Sequence, residues 1–238
     1  MILALVMVFG VILSLSACGE APEAYGSGAC DYLNTRDTTA RDIKYVEICV
    51  KDFGKIVVLL DATTAPKTVE NFIKLAEEGF YDGLTFHRII NGFMIQGGDP
   101  EGTGAGGADT EIKGEFSSNG HYNDIKHYRG VISMARATSP DSASSQFFIC
   151  HETAAHLDGD YAAFGYVVQG MSVVDDIVDK TLENYYAYCG GDMNAFYYWL
   201  YYGNGSLTDS KGNPIKSLQP EIRYVKVLDS WENNQKAE

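Results

Sequence analysis

Basic residues are scarce in this chain: 18 Lys and Arg stand against 32 Asp and Glu, a formal net charge of -14 over 238 residues. No cluster of Lys or Arg occurs anywhere in it. Phosphate binding needs a basic face, so no nucleic-acid partner is expected and the surface reads as solvated and acidic. Cysteine is sparse too. Five are present and none belongs to a C-x-x-C pair, which argues against a dithiol redox enzyme. Internal repeats are absent. Two patterns that would announce a cofactor also fail. Gly102-Thr103-Gly104-Ala105-Gly106-Gly107 spells G-x-G-x-x-G, but Ala108-Asp109-Thr110 follow with no helical stripe, so a dinucleotide loop is not expected. His151-Glu152-Thr153-Ala154-Ala155-His156 is one residue too long for a zinc helix. Five positions at about 100° each put its histidines ~500° apart, on different faces. The reading is of a protein with no cofactor and no metal.

Long apolar runs are lacking except at the start. Residues 1–17, MILALVMVFGVILSLSA, carry no charge, and Cys18 follows at once. The run suits a signal h-region and is short for a spanning helix, which needs ~20 residues. Leu15-Ser16-Ala17-Cys18 resembles a bacterial lipobox, with Cys18 as the lipidated residue. The run departs from that pattern in opening Met1-Ile2-Leu3 with no Lys or Arg, as a chain whose true start lay further upstream would. Residues 18–42 then read as the lipidated cysteine and a flexible polar tether. The expectation is a lipoprotein outside the cytoplasm, anchored in the membrane through several acyl chains on Cys18. The other four cysteines, Cys30, Cys49, Cys150 and Cys189, are open between disulfides and plain thiols.

From residue 43 the sequence turns to alternation. IKYVEICV (43–50) is a half-buried strand, and KIVVLLD (55–61) is apolar on both faces, as a covered barrel strand would be. Pro66 opens a helix with a stripe of Val69, Phe72, Ile73 and Ala76, stopped by Gly79. Residues 131–135, 146–150, 162–169 and 221–228 read as further strands, and 172–180 as a second short helix.

The stretch with most chemistry is LTFHRIINGFMIQGGD (84–99), read as a hairpin turning at Asn91-Gly92. It sets Arg88 among Phe86, Phe93 and Met94, with Gln96 on the adjacent strand. An unpaired guanidinium is costly to bury, so Arg88 has either a task or a core carboxylate partner. This stretch, with VISMARATSPDSASSQFFIC (131–150) and HLDGDYAAFGYVVQGM (156–171), resembles in order the signature segments of the cyclophilin family of peptidyl-prolyl isomerases. The likeness runs over residues 43–231. It implies a mainly β fold, a closed eight-stranded antiparallel β-barrel capped by two α-helices. It also implies acceleration of X-Pro bond rotation in proline-containing unfolded or partly folded polypeptides.

By matching position, the resemblance implies that Arg88 and Gln96 are the catalytic pair. Phe93, Met94, Phe148 and Leu157 would form the pocket for the proline ring, and Ala135, Arg136, Ala137 and Gln146 the neighbouring groove. Tyr161 stands where relatives often have histidine. His156 stands where some have a tryptophan that contacts cyclosporin, so weak cyclosporin binding is expected. The glycine-rich run becomes a wall of the groove. The rival reading is a module that binds or chaperones proline-containing segments with little turnover.

One part escapes the resemblance. Residues 182–219 are a longer excursion than expected, with seven tyrosines, Phe196 and Trp199 within LENYYAYCGGDMNAFYYWLYYGNG. They read either as an elaboration packed on the barrel wall or as an exposed aromatic surface for a partner. Residues 232–238 read as a frayed tail.

Overall fold

The computed structural model describes residues 38–230. The signal run, Cys18, Cys30, most of the tether and the tail therefore lie outside the described residues. The strands are β1 (Ile43–Val50), β2 (Gly54–Asp61), β3 (Thr85–Ile90), β4 (Met94–Asp99), β5 (Val131–Met134), β6 (Phe147–Cys150), β7 (Ala163–Gln169) and β8 (Ile222–Leu228). The helices are α1 (Pro66–Glu77), α2 (Met171–Tyr188) and α3 (Met193–Tyr202). All eight strands belong to one antiparallel sheet in the order β3-β4-β6-β5-β7-β2-β1-β8.

The ends of that order meet, but only briefly. Thr85 bridges Glu221, the Phe86 N–H donates to Pro220 O at 2.9 Å and the Ile222 N–H to Leu84 O at 2.7 Å. The sheet thus curls into a barrel whose last seam is a short stitch, so full closure is approximate. Further along, the outer edge of β3 is covered by the exit of the long excursion. The Ile89 N–H donates to Gly205 O at 2.9 Å and the Leu207 N–H to His87 O at 2.8 Å. An edge strand with its polar groups bonded in this way is no longer a template for aggregation.

Alternation sorts the apolar side chains into two cores. Ile95, Phe147, Ile149 and Phe164 point into the barrel, where Phe72 from α1 meets Phe147 edge-on at 5.4 Å. Met94, Phe148, Cys150 and Ala163, their neighbours in sequence, gather on the opposite face. Period two thus builds the core and, with the alternate residues, an apolar floor outside it. Cys49, Cys150 and Cys189 are free thiols, and burial pushes Cys150 up to about 12, far from a reactive thiolate.

Two helices were expected and three are present among the described residues. α2 continues two turns past the expected stop at 180, because Ile177, Thr181 and Tyr185 keep burying one stripe at a spacing of four. Asp192 then caps α3, accepting the Asn194 N–H at 2.8 Å. Within the excursion Trp199 and Tyr185 are buried and stacked at 3.8 Å, while four tyrosines of α3 remain exposed.

Candidate active site

The site lies on the outer face, across the row that register sets up on three adjacent strands. Arg88 on β3 pairs with Gln96 on β4, and Gln96 pairs with Phe148 on β6. Side chains in one such row share a face. The β3–β4 register slips between Phe86 and Arg88, leaving His87 as an extra residue in the strand. A bulge of this kind re-aims the side chain beside it.

Arg88 is held by three hydrogen bonds. Its Nη1 donates to Gln96 Oε1 at 3.1 Å, its Nε to Asn204 O at 2.9 Å and its Nη2 to Asn204 Oδ1 at 2.8 Å. Its partners are thus neutral, and the core carboxylate that the sequence left open is not among them. Partial burial pulls the guanidinium's pKa down from its ordinary value, with Tyr161 acting the other way, and an arginine stays charged even so. Five guanidinium N–H groups less three leave one on each terminal nitrogen.

The amides continue the chain of donors. A guanidinium has only hydrogens to offer, so Gln96 presents its oxygen to Arg88 and its Nε2 to Gln146 Oε1, at 2.8 Å. Gln146 Nε2 in turn donates to Gly106 O at 2.6 Å and Gly104 O at 3.1 Å. The glycine-rich run is therefore a wall of the site, as the resemblance implied. Asp99 shapes it from beneath by accepting the N–H groups of Glu101, Thr103 and Gly104. Burial works to raise the Asp99 pKa, but the N–H groups of Glu101, Gly104 and Gly106, with His87 nearby, outweigh it and hold the carboxyl below its ordinary value.

Beside Arg88 opens a cavity of about 360 Å³. Phe93, Met94, Phe148 and Leu157 supply its apolar surface, and His87, Arg136, Tyr161 and Asn204 are among the polar residues that complete its lining. Phe148 is backed by His127, whose ring stacks on it at 6.0 Å and is fixed by Asp158 and Ser133, each at 3.0 Å. The Arg136 guanidinium lies 4.6 Å over the Tyr161 ring while its Nε and Nη2 donate to Asp160 O, so that side chain braces the wall. A larger hollow of about 700 Å³ lies near Lys51, Asp176, Asp179 and Lys180. Its lining is mostly charged, with Phe53, Leu218 and Pro220 as its apolar side chains.

Most of the residues singled out in the sequence come together here. Gln146 and Ala137 line the adjoining groove with Gly106 and Ser142. His156 stands apart: it is exposed and packs its ring on Phe93 at 5.4 Å, outside the lining of the cavity. His151 turns elsewhere, accepting the Gly92 N–H at 3.1 Å and facing Asp175 at 3.2 Å. Asn204 was missed. It is 116 positions from Arg88, beyond the segments that carry the likeness, and only its place in an Asn-Gly pair signalled a turn. Its φ of 52° lies in the left-handed region, where Asn is among the few tolerated residues.

Comparison with known proteins identifies the family. The family model for cyclophilin type peptidyl-prolyl cis-trans isomerase/CLD matches residues 45–199. A peptidyl-prolyl cis-trans isomerase of Helicobacter pylori is 48% identical over 126 residues, which cover 52% of this chain and 74% of that one. Peptidyl-prolyl cis-trans isomerase B of Bacillus subtilis is 51% identical over 122 residues, 51% of this chain and 82% of that one. A Cryptosporidium parvum cyclophilin type isomerase, crystallised in the presence of the dipeptide Ala-Pro, superposes with a TM-score of 0.56 at 28% identity. That likeness covers 78% of this chain and 99% of the Cryptosporidium parvum chain. By family model, sequence and fold, the chain belongs to the cyclophilin-type peptidyl-prolyl cis-trans isomerases and is an enzyme of that class.

Proposed function

We propose that Arg88 is the donor that drives the isomerisation, and that the enzyme works as a lipid-anchored protein outside the cytoplasm on secreted polypeptides whose folding waits on proline. Rotation about an X-Pro bond crosses a barrier of about 18–20 kcal/mol because amide resonance is lost at the top. No covalent bond is made or broken, so neither nucleophile nor proton shuttle is needed. Phe93, Met94, Phe148 and Leu157 take the proline ring out of water. As the bond twists, the lone pair localises on the prolyl nitrogen and becomes a better acceptor. A donor waiting there binds the transition state more tightly than the ground state.

The observation that carries this reading is the clamping of Arg88. Asn204 and Gln96 occupy three of its N–H groups, so a free one can face the cavity without the side chain having to be ordered during the reaction. Gln96, Ala135 and Gln146 and the backbone at Arg136 and Ala137 hold the neighbouring residues of the substrate; that the substrate carries proline is supported by the Cryptosporidium parvum relative, crystallised in the presence of Ala-Pro. Measured on an X-Pro peptide, Arg88→Ala loses most of the activity while remaining folded. An Arg88→Ala enzyme as fast as the parent refutes the assignment.

His156 offers a small imidazole on Phe93 where a tryptophan would make a broad contact, and weak cyclosporin binding follows. Titration giving a nanomolar dissociation constant contradicts this. The lipid anchor rests on Leu15-Ser16-Ala17-Cys18, and acyl labelling that survives in Cys18→Ser disproves it.

A further inference from the structure

α3 has two faces of different kinds. Phe196, Trp199 and Leu200 turn inward against the core. At 100° per residue Tyr197, Tyr198, Tyr201 and Tyr202 fall on the opposite side, and they are 46%, 68%, 73% and 77% exposed. The helix, MNAFYYWLYY, contains no charged residue. The outer rings are ordered in pairs, Tyr198 with Tyr202 at 5.1 Å and Tyr197 with Tyr201 at 6.1 Å. Their base is fixed as well: Trp199 stacks on Tyr185, and its Nε1 donates to Ser206 O at 2.7 Å. Four large rings kept dry on one side and bare on the other form a pre-organised aromatic surface.

The surface adjoins the site. Tyr202 is two residues from Asn204, whose side chain clamps Arg88 and lines the cavity. Two peptide units set a limit of about 7.6 Å between those Cα atoms. An extended chain advances about 3.3 Å per residue, so a client bound at the cavity reaches the tyrosines within roughly five residues. We propose that this tyrosine face is a second binding site for the client polypeptide, taking apolar, proline or basic residues a few positions from the X-Pro bond held beside Arg88. The proposal rests on the Arg88 cavity being the isomerase site.

Chemistry selects this occupant. Tyrosine faces receive proline rings and aliphatic side chains and attract Lys and Arg cations. The net charge of -14 favours neutral or basic clients in the same way. An anionic membrane or nucleic acid is repelled by that charge, and α3 brings no Lys or Arg to offset it. Two contacts on one chain also add avidity, so the gain belongs to long clients and not to short peptides.

The test is the combined variant Tyr197→Gln, Tyr198→Gln, Tyr201→Gln and Tyr202→Gln, assayed on a short X-Pro peptide and on the proline-limited refolding of an unfolded protein. Expected is a peptide kcat/KM within about twofold of the parent and a refolding acceleration lower by roughly tenfold. A permanently unfolded, proline-containing chain should inhibit the parent at roughly tenfold lower concentration than the variant. Equal loss on both substrates means that the tyrosines act through the fold around Asn204, and overturns the proposal. So does unchanged refolding, including the case where the variant has instead lost binding to neutral vesicles or association with a second copy. A parent inactive on the short peptide refutes the cavity assignment itself, a separate result.

Discussion

Arg88 owes its position to a residue that the strand pattern does not contain. Asn204 gives it two acceptors from one residue, a main-chain carbonyl for Nε and a side-chain oxygen for Nη2, so the planar guanidinium is fixed in rotation as well as in place. Removing the side chain while keeping the left-handed backbone separates the two. Asn204→Gly should keep the Nε bond and lose the Nη2 bond, a hydrogen bond to a charged group worth about 1.5–3 kcal/mol. We expect kcat to fall roughly tenfold with KM little changed, and Asn204→Asp, which restores an oxygen, to recover most of the rate. Equal kcat in Asn204→Gly and the parent contradicts the clamp. Gly205 has its own constraint: its φ is 71° and an added Cβ would lie 2.5 Å from Ile89 O, so only glycine lets the strap approach β3.

On the scale of elements, the bulge in β3 separates two neighbours with opposite fates. Arg88 has a partner for each of its three guanidinium nitrogens, while His87, which also lines the cavity, is buried with neither ring nitrogen hydrogen-bonded. Burial lowers the His87 pKa below the ordinary 6.5, against the pull of Asp99. His127 is lowered for the same reason, against Asp158. Below about pH 6.5 the unfolded chain therefore binds protons that the folded chain does not, so stability is full at higher pH and drains away as pH falls toward the folded values. The urea midpoint should be lower at pH 5 than at pH 7. In His87→Met the difference should shrink, and stability at pH 7 should rise by about 1–3 kcal/mol, since an unsatisfied buried polar group is replaced by an apolar one of similar length. An unchanged pH slope contradicts this account of His87.

The same strands show what sequence could and could not convey. Alternation in LTFHRIINGFMIQGGD placed Arg88 and Gln96 on adjacent strands, because period two follows from backbone geometry alone, whereas Phe148 was placed in the pocket only by the family resemblance. The bulge was invisible, since an extra residue in a strand depends on its partner. The extent of α2 was missed where Glu183 and Asn184 interrupt an apolar reading that Thr181 and Tyr185 nonetheless sustain on the buried side. Asn204 could not be foreseen because its role depends on where the excursion ends in space, and the family match stops at residue 199.

Over the whole molecule, one sheet serves two ends. Its inner face fills the barrel, and its outer face provides a floor on which an arginine, two glutamines and four apolar side chains meet above a dry surface. The excursion joins these functions: its strap covers the edge of β3 near the barrel's seam and clamps Arg88, and the tyrosine face lies on the helix just before the clamp. The central claim is that catalysis is electrostatic and comes from one positioned donor. Its most direct test is kcat/KM of residues 19–238 on an X-Pro peptide beside Arg88→Ala, with the fold of both checked by circular dichroism. The account predicts acceleration by the parent and a loss of about 10²–10³-fold in the variant, the scale of removing one pre-organised donor. A folded Arg88→Ala enzyme that keeps the parent's rate would contradict it.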